Sequence, residues 1–185
     1  KKSYYGATLT YSFNKPEYYP LEWPPRALSF ETTSDVMAWS DRFLSHNKDN
    51  IFMTVRPSAS RQMFFYNRQR LNFTWETKYG LATTIEVQTE KNEPTAELSF
   101  SHIDGTNISS FRKSEISVSL DFRPGQQFVN SKQNRIEVNL DAPRFVVSHT
   151  FGLKNFLGGD YSYNHTEVSA YKRFWLGSWG HFDAR

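Results

Sequence analysis

An all-β fold, an antiparallel up-and-down meander of roughly nine or ten strands, is predicted by three observations. Apolar and polar residues alternate with a period of two in nearly every run long enough to be a strand. Aromatic residues make up 17% of the 185-residue chain, and 16 Phe, 10 Tyr and 5 Trp supply much of its apolar mass. Turn signals of Gly, Pro, Asn and Asp separate the alternating runs at short intervals.

Tyr5, Ala7, Leu9, Tyr11 and Phe13 share one face of a first strand expected over residues 4–13, with Gly6, Thr8, Thr10 and Ser12 on the other. Prolines at 16, 20, 24 and 25 disfavour a central strand in the next stretch, because proline donates nothing to a ladder. Residues 14–57 are therefore expected as a Pro-rich, irregular connection, extended over 27–33. Within it, 34–50 reads as an irregular loop, with a short helix capped by Ser34 or Asp35 as the alternative. Residues 61–77 set Met63, Phe65, Leu71, Phe73 and Trp75 opposite Arg68, Arg70, Asn72, Thr74 and Glu76, with Asn67 and Gln69 interrupting the apolar face. After a turn at 78–80, Leu81, Thr83, Ile85 and Val87 alternate with Thr84, Glu86, Gln88 and Glu90.

Residues 90–94 read as a polar turn, 95–103 as a strand with Ala96, Leu98 and Phe100 on one face, and 104–107 as a strong turn. Ile116, Val118, Leu120 and Phe122 mark a strand over 111–122. A polar connection at 124–132 leads to a strand over 134–141 that carries Ile136, Val138 and Leu140. Residues 144–151 align Phe145, Val147, His149 and Phe151. Beyond Gly158-Gly159-Asp160 come strands over 161–174 and 176–184. Residues 1–185 thus read as a single β-barrel or partial-barrel domain, with no repeat and no linker.

Hydrophobic content is only 38%. In a transmembrane barrel only alternate residues touch lipid, and rings gather at both interfaces, so a polar average rich in aromatics fits one. An aromatic-rich soluble β-domain, such as a carbohydrate binder, fits the composition equally well. Strand length favours the membrane: the runs 61–77, 111–122 and 161–174 exceed the ~5–6 residues usual in globular strands and reach the ~9–11 that cross a bilayer at a tilt. No stretch approaches the ~20 apolar residues of a membrane helix, so a closed barrel is the spanning option. A net charge of +3 is too balanced to imply nucleic acid, and Arg61, Arg68 and Arg70 separate by face from most of the neighbouring rings Phe64, Phe65 and Tyr66. Zero cysteines exclude a disulfide framework and thiol chemistry. Lys1-Lys2-Ser3 runs straight into a strand pattern, and Arg185 carries no terminal signal, so an internal piece of a larger exported sheet is expected.

No constellation carries chemistry. The five histidines, His46, His102, His149, His165 and His181, lack metal-ligand spacing, so no metal and no cofactor is expected. Glu86, Glu90, Glu97, Glu115 and Glu137 sit on polar faces, where pairing with Arg68, Arg70, Arg112 and Arg135 across a lumen is the simplest use. Nothing sets two of these carboxylates at a glycosidase's separation, so no catalysis is expected. Ile116, Val118, Leu120, Phe122, Ile136, Val138 and Leu140 are the expected lipid-facing residues. Tyr161, Tyr163, Phe174, Trp175 and Trp179 are the expected interfacial aromatics, with Tyr4, Tyr5, Tyr18, Tyr19 and Trp23 near the other end of the segment. A stacking platform for sugars is the competing use of these rings.

The second half carries a recognisable order of motifs. Val118-Ser119-Leu120-Asp121-Phe122-Arg123-Pro124-Gly125 ends a strand in a Pro-Gly turn, and Pro143-Arg144-Phe145-Val146-Val147 starts another from proline. Gly159-Asp160-Tyr161-Ser162-Tyr163 and Leu176-Gly177-Ser178-Trp179-Gly180 follow. Over about residues 60–185 this resembles a Bacteroidota outer-membrane family of unknown function, in which a carboxypeptidase-regulatory-like domain precedes a large barrel distantly similar to the BamA-type surface-antigen superfamily. The resemblance implies an internal barrel segment in a bacterial outer membrane and no settled activity. The expected partners are the lipid bilayer and other envelope proteins. The expected role is a non-catalytic membrane scaffold or a transport or assembly component. The rivals are a soluble barrel or sandwich that binds a small ligand or glycan, and a barrel hydrolase using Glu86 or Glu137.

Overall fold

The computed structural model describes residues 2–14, 26–38, 63–77, 79–95, 98–102, 104–130 and 135–185. These form strands β1 (Tyr5–Ser12), β2 (Arg26–Ala38), β3 (Met63–Glu76), β4 (Leu81–Pro94), β5 (Phe100–Ser101), β6 (Asn107–Ile108), β7 (Phe111–Phe122), β8 (Phe128–Asn130), β9 (Arg135–Glu137), β10 (Arg144–Gly152), β11 (Tyr163–Trp175) and β12 (His181–Ala184). The only helical pieces among the described residues are two 3-10 turns, Phe156–Gly158 and Gly177–Trp179.

Eight strands form one sheet in the order β1-β2-β3-β4-β7-β10-β11-β12, antiparallel at every pairing. This is the up-and-down meander expected from alternation and short turns. Two small hairpins hang from it: β5–β6 in the β4–β7 connection and β8–β9 in the β7–β10 connection. The β3–β4 turn is tight: Thr77 N–H bonds Leu81 O at 2.8 Å, and Gly80 adopts φ +77°. A Cβ on Gly80 would lie 2.5 Å from the Arg123 carbonyl oxygen, so both backbone sterics and the neighbouring chain demand glycine. At the other end of the sheet the β10–β11 connection folds back on β7, where Leu153 N–H bonds Ser114 O and Asp160 N–H bonds Arg112 O, both at 2.9 Å. In the turn before β6 the Asp104 carboxylate accepts the Thr106 N–H at 2.9 Å, which holds its pKa below the usual range.

Five expectations need correction. The strand expected over 176–184 is only His181–Ala184, after the 3-10 turn Gly177–Trp179. Residues 34–38, expected as loop, continue β2, where Ser34–Ala38 pair with Met63–Asn67. The remainder of the expected 14–57 connection, residues 15–25 and 39–57, lies outside the described residues, as do Tyr18, Tyr19, Trp23 and His46. Residues 90–94, expected as a turn, complete β4, where Glu90 meets Arg68 on the charged face and Asn92 is buried in register between Tyr66 and Phe111. The strand expected over 95–103 shrinks to Phe100–Ser101 of the β5–β6 hairpin, with Ala96, Glu97 and Ile103 outside the described residues. The strand expected over 134–141 is only Arg135–Glu137, paired with β8 and not with the main sheet. Ile136, Val138 and Leu140 are exposed, but on this side hairpin and its exit.

The hydrophobic core of an ordinary domain is missing among the described residues: the buried apolar residues are Ala27, Phe64, Tyr66 and Ala142. Phe64 sits under the β5–β6 hairpin, where Phe100 meets Phe111 edge-on at 4.9 Å between centroids and Tyr161 meets Phe111 at 6.2 Å. The sheet is therefore held by its ladders and by one layer of side chains on each face. Replacing Gly80 with Ala is expected to lower stability by about 1–3 kcal/mol, from strained φ and overlap with Arg123, read as a drop in urea midpoint with unchanged slope.

Candidate functional site

The two faces of the sheet differ in chemistry. One carries the charges. Arg68 on β3 donates from Nε to Glu90 Oε2 on β4 at 2.7 Å, and Lys113 on β7 lies 3.7 Å from the other oxygen of the same carboxylate. Lys113 also lies 3.9 Å from Glu115, which accepts from Gln88 and from the Tyr163 hydroxyl. Arg70 bridges Glu86 at 3.3 Å and Glu31 at 3.9 Å. The network runs from β2 to β7 and reaches β11 over Gly152 of β10, where a Cβ would collide with the Tyr163 ring. Glycine at that point lets the tyrosine lie flat across the intervening strand.

Nearer the β3–β4 turn the same face holds a second cluster. Asp121 Oδ2 accepts from Arg123 and from Arg144, each at 2.8 Å, and Arg123 also bridges Glu137 at 2.8 Å. These groups rim a cavity of about 400 Å³ lined by Thr74, Glu76, Thr84 and Ser119. Glu86 and Glu137 thus belong to separate ion-pair clusters. Arg112, expected to pair across the polar face, points to the other one, in register with Lys91. Among the described residues no three His, Cys, Asp or Glu side chains converge as a metal site.

The opposite face is apolar and open. In register across the sheet, Leu9, Phe30, Leu71, Val87, Ile116 and Phe151 follow one another on β1, β2, β3, β4, β7 and β10. Tyr11, Leu28, Phe73, Ile85 and Val118 form the next row, and Leu81, Phe122 and Phe145 a later one. Leu120 is 42% exposed and Leu9 74%, whereas Glu90 on the charged face is 1% exposed. Soluble proteins partition these residue types the other way. Ile116, Val118, Leu120 and Phe122 all stand on this open face. Its other members on β1, β3, β4 and β10 are residues that the alternation groups on one face but that were not among those expected to face lipid.

On the side away from the β3–β4 turn the margin of the apolar band keeps to the Leu9 row from β1 to β10. That row ends on β11 at Asn164, and there the band begins at Val168, four positions or ~14 Å further along the strand. Cations over rings mark its margin on the side of the β3–β4 turn: Arg26 lies 5.4 Å from the Trp75 centroid and Lys172 5.9 Å from Phe174.

The five aromatics expected at an interface divide. Phe174 stands on the apolar face beside Phe182, with centroids 6.3 Å apart. Tyr163 and Trp175 take the alternate parity and face the charged side, Tyr163 to Glu115 and Trp175 beside Arg173 and His181. Tyr161 precedes β11 and packs on Phe111 and His102. Trp179, in the last turn, is 91% exposed. Tyr161 and Tyr163 lie at one end of β11, and Phe174, Trp175 and Trp179 at or beyond the other.

An antiparallel meander with ion pairs on one face and a bare apolar band on the other defines an all-β protein whose sheet is built as a two-faced wall. Residues 40–185 match the C-terminal domain of a family of unknown function, DUF5686, and the chain belongs to that family. No curated protein and no solved structure matches it.

Removing the Glu90 carboxylate strands Arg68 and Lys113 on a buried face. Glu90→Ala is expected to cost about 3–5 kcal/mol, while a double change of Arg68 and Glu90 to Met and Leu costs much less, as unfolding midpoints will show.

Proposed function

We propose that this chain is a wall segment of a transmembrane β-barrel in a bacterial outer membrane, serving as a non-catalytic scaffold or as part of a transport or assembly pore. One observation carries the reading: the side chains that the hydrophobic effect would bury are exposed on one continuous face, while ion-paired ones, with Glu90 buried among them, occupy the other. Such a face stays dry only against hydrocarbon or a second protein layer, and the cations set over rings at its margin favour hydrocarbon.

On β7 the band runs from Ile116 to Phe122, ~20 Å along the strand. This is shorter than the ~25 Å of a typical outer-membrane barrel, a mismatch that local thinning absorbs at fractions of a kcal/mol per Å. The margins also fit. Arg26 over Trp75 and Lys172 over Phe174 are the cation and ring pairs that settle between hydrocarbon and water. The family resemblance supports the same location, in Bacteroidota, with a carboxypeptidase-regulatory-like domain ahead of the barrel. The bilayer is then the principal partner, and the charged face lines a lumen. No helix among the described residues is long and apolar enough to cross a membrane.

Because the chain has no cysteine, single cysteines report cleanly. A lipid-dissolved thiol probe is expected to label cysteines placed at Ile85, Val118, Leu120 and Val147 and to spare those at Ser117 and Ser119. Labelling by a water-soluble probe at both sets, with protein that stays monodisperse without detergent, would favour the soluble ligand-binding reading instead. In the lipid-embedded protein Val118→Arg is expected to cost about 2–4 kcal/mol and Ser119→Arg far less, measured by urea unfolding in bilayers.

A further inference from the structure

On the open face, beyond the apolar band and away from the β3–β4 turn, five strands present hydrogen-bond donors in one register row: Tyr5, Ser34, Asn67, Lys91 and Arg112 on β1, β2, β3, β4 and β7. Lys91 and Arg112 are direct cross-strand partners on the same face. Two like charges so placed repel unless an anion lies between them. The acids nearby do not settle this. Glu93 bridges Lys91 at 2.8 Å and is shared with Lys2, while Asp160 turns its carboxylate to the Arg112 backbone N–H at 2.6 Å, leaving the guanidinium with the Leu157 carbonyl. Three cations thus meet two carboxylates, one of them spent on backbone.

Beside the row is a hollow of about 260 Å³, lined by Lys2, Tyr5, Ser34, Phe65, Asn67 and Lys91 among others. The Asn67 amide donates to the Tyr5 oxygen at 3.0 Å, so the phenolic O–H remains to donate onward. Lys2 lies 4.5 Å from the Phe65 ring centroid, which keeps an ammonium at the mouth.

We infer that this row is a binding site for the phosphoryl headgroup of an anionic lipid, held between Lys91 and Arg112 with Tyr5 and Asn67 as further donors. The inference rests on the membrane reading above. The source is a lipid because of where the row stands: the first apolar residues of the same strands, Leu9, Phe30, Leu71, Val87 and Ile116, come four positions later, ~14 Å along the strand. A headgroup bound at the row would have its acyl chains laid along that band, and long Lys and Arg side chains span the step by reaching toward it. Two adjacent cations, further donors and an adjacent track for acyl chains coincide in this row.

The full-length protein reconstituted in phosphatidylcholine vesicles, with trace spin-labelled phosphatidylglycerol or spin-labelled phosphatidylcholine, tests the site through the fraction of motionally restricted label. Heat-modifiable migration verifies folding of each variant. Phosphatidylglycerol is expected to be selected over phosphatidylcholine, with selectivity falling about fivefold in Lys91→Gln and again in Arg112→Gln. Selectivity should persist in Lys154→Gln, a nearby exposed lysine outside the row, and in added inorganic phosphate. Restricted lipid with no preference between labels overturns the site and leaves the membrane reading standing. Loss in Lys154→Gln equal to the others also overturns it, as diffuse charge. Abolition by inorganic phosphate overturns the lipid as the source. No restricted lipid of either kind, from folded protein, sinks the membrane reading itself.

Discussion

Arg68 and Glu90 face each other across β3 and β4, and Glu90 faces Lys113 across β4 and β7. Each charge is neutralised by the strand beside it, within the same face, so the sheet needs no second layer to satisfy its ions. This pairing also pins the register. Side chains alternate with a strict period of two, so a slip of one residue between β3 and β4 would throw Arg68 and Arg70 among the leucines and bring Leu71 and Phe73 inward. With those contacts set, the apolar residues of the same strands take the other parity, so the bare band follows from the satisfied face.

Alternation made much of this architecture legible. β7 is the clearest case: Phe111–Phe122 keeps its two-residue beat throughout, and both its bounds and its faces were readable from the residues. The beat was misleading where it was honest about parity but silent about neighbours. Ile136, Val138 and Leu140 alternate as well as Ile116, Val118 and Leu120, yet they belong to a side hairpin, because nothing local distinguishes a short pair from a long wall. Conversely, Glu90 to Pro94 looked like a turn because a polar run normally marks solvent. Here Glu90 pairs with Arg68 across the ladder, Asn92 is buried between Tyr66 and Phe111, and their neighbours Lys91 and Glu93 have already passed the edge of the apolar band.

The aromatics show a different limit. Tyr161, Tyr163, Phe174, Trp175 and Trp179 cluster in sequence, but one-residue offsets put Phe174 on one side of β11 and Trp175 on the other. Parity separates them, and their type does not. The cation row of Lys91 and Arg112 was invisible for the opposite reason, since their adjacency exists only once β4 and β7 are in register, twenty-one positions apart in the chain. The aromatic cluster of Phe64, Phe100 and Phe111 is of the same kind, assembled by a hairpin folding over the charged face.

The step of the apolar band at β11 has a geometric corollary. A ribbon whose greasy stripe holds one row from β1 to β10 and then drops cannot present its two lateral margins at one depth. The β1 margin meets the stripe at Leu9, whereas on β11 it begins at Val168 and on β12 it meets Phe182, further along the common register. Any neighbour that zips onto both margins must therefore arrive offset, like the next tread of a spiral stair.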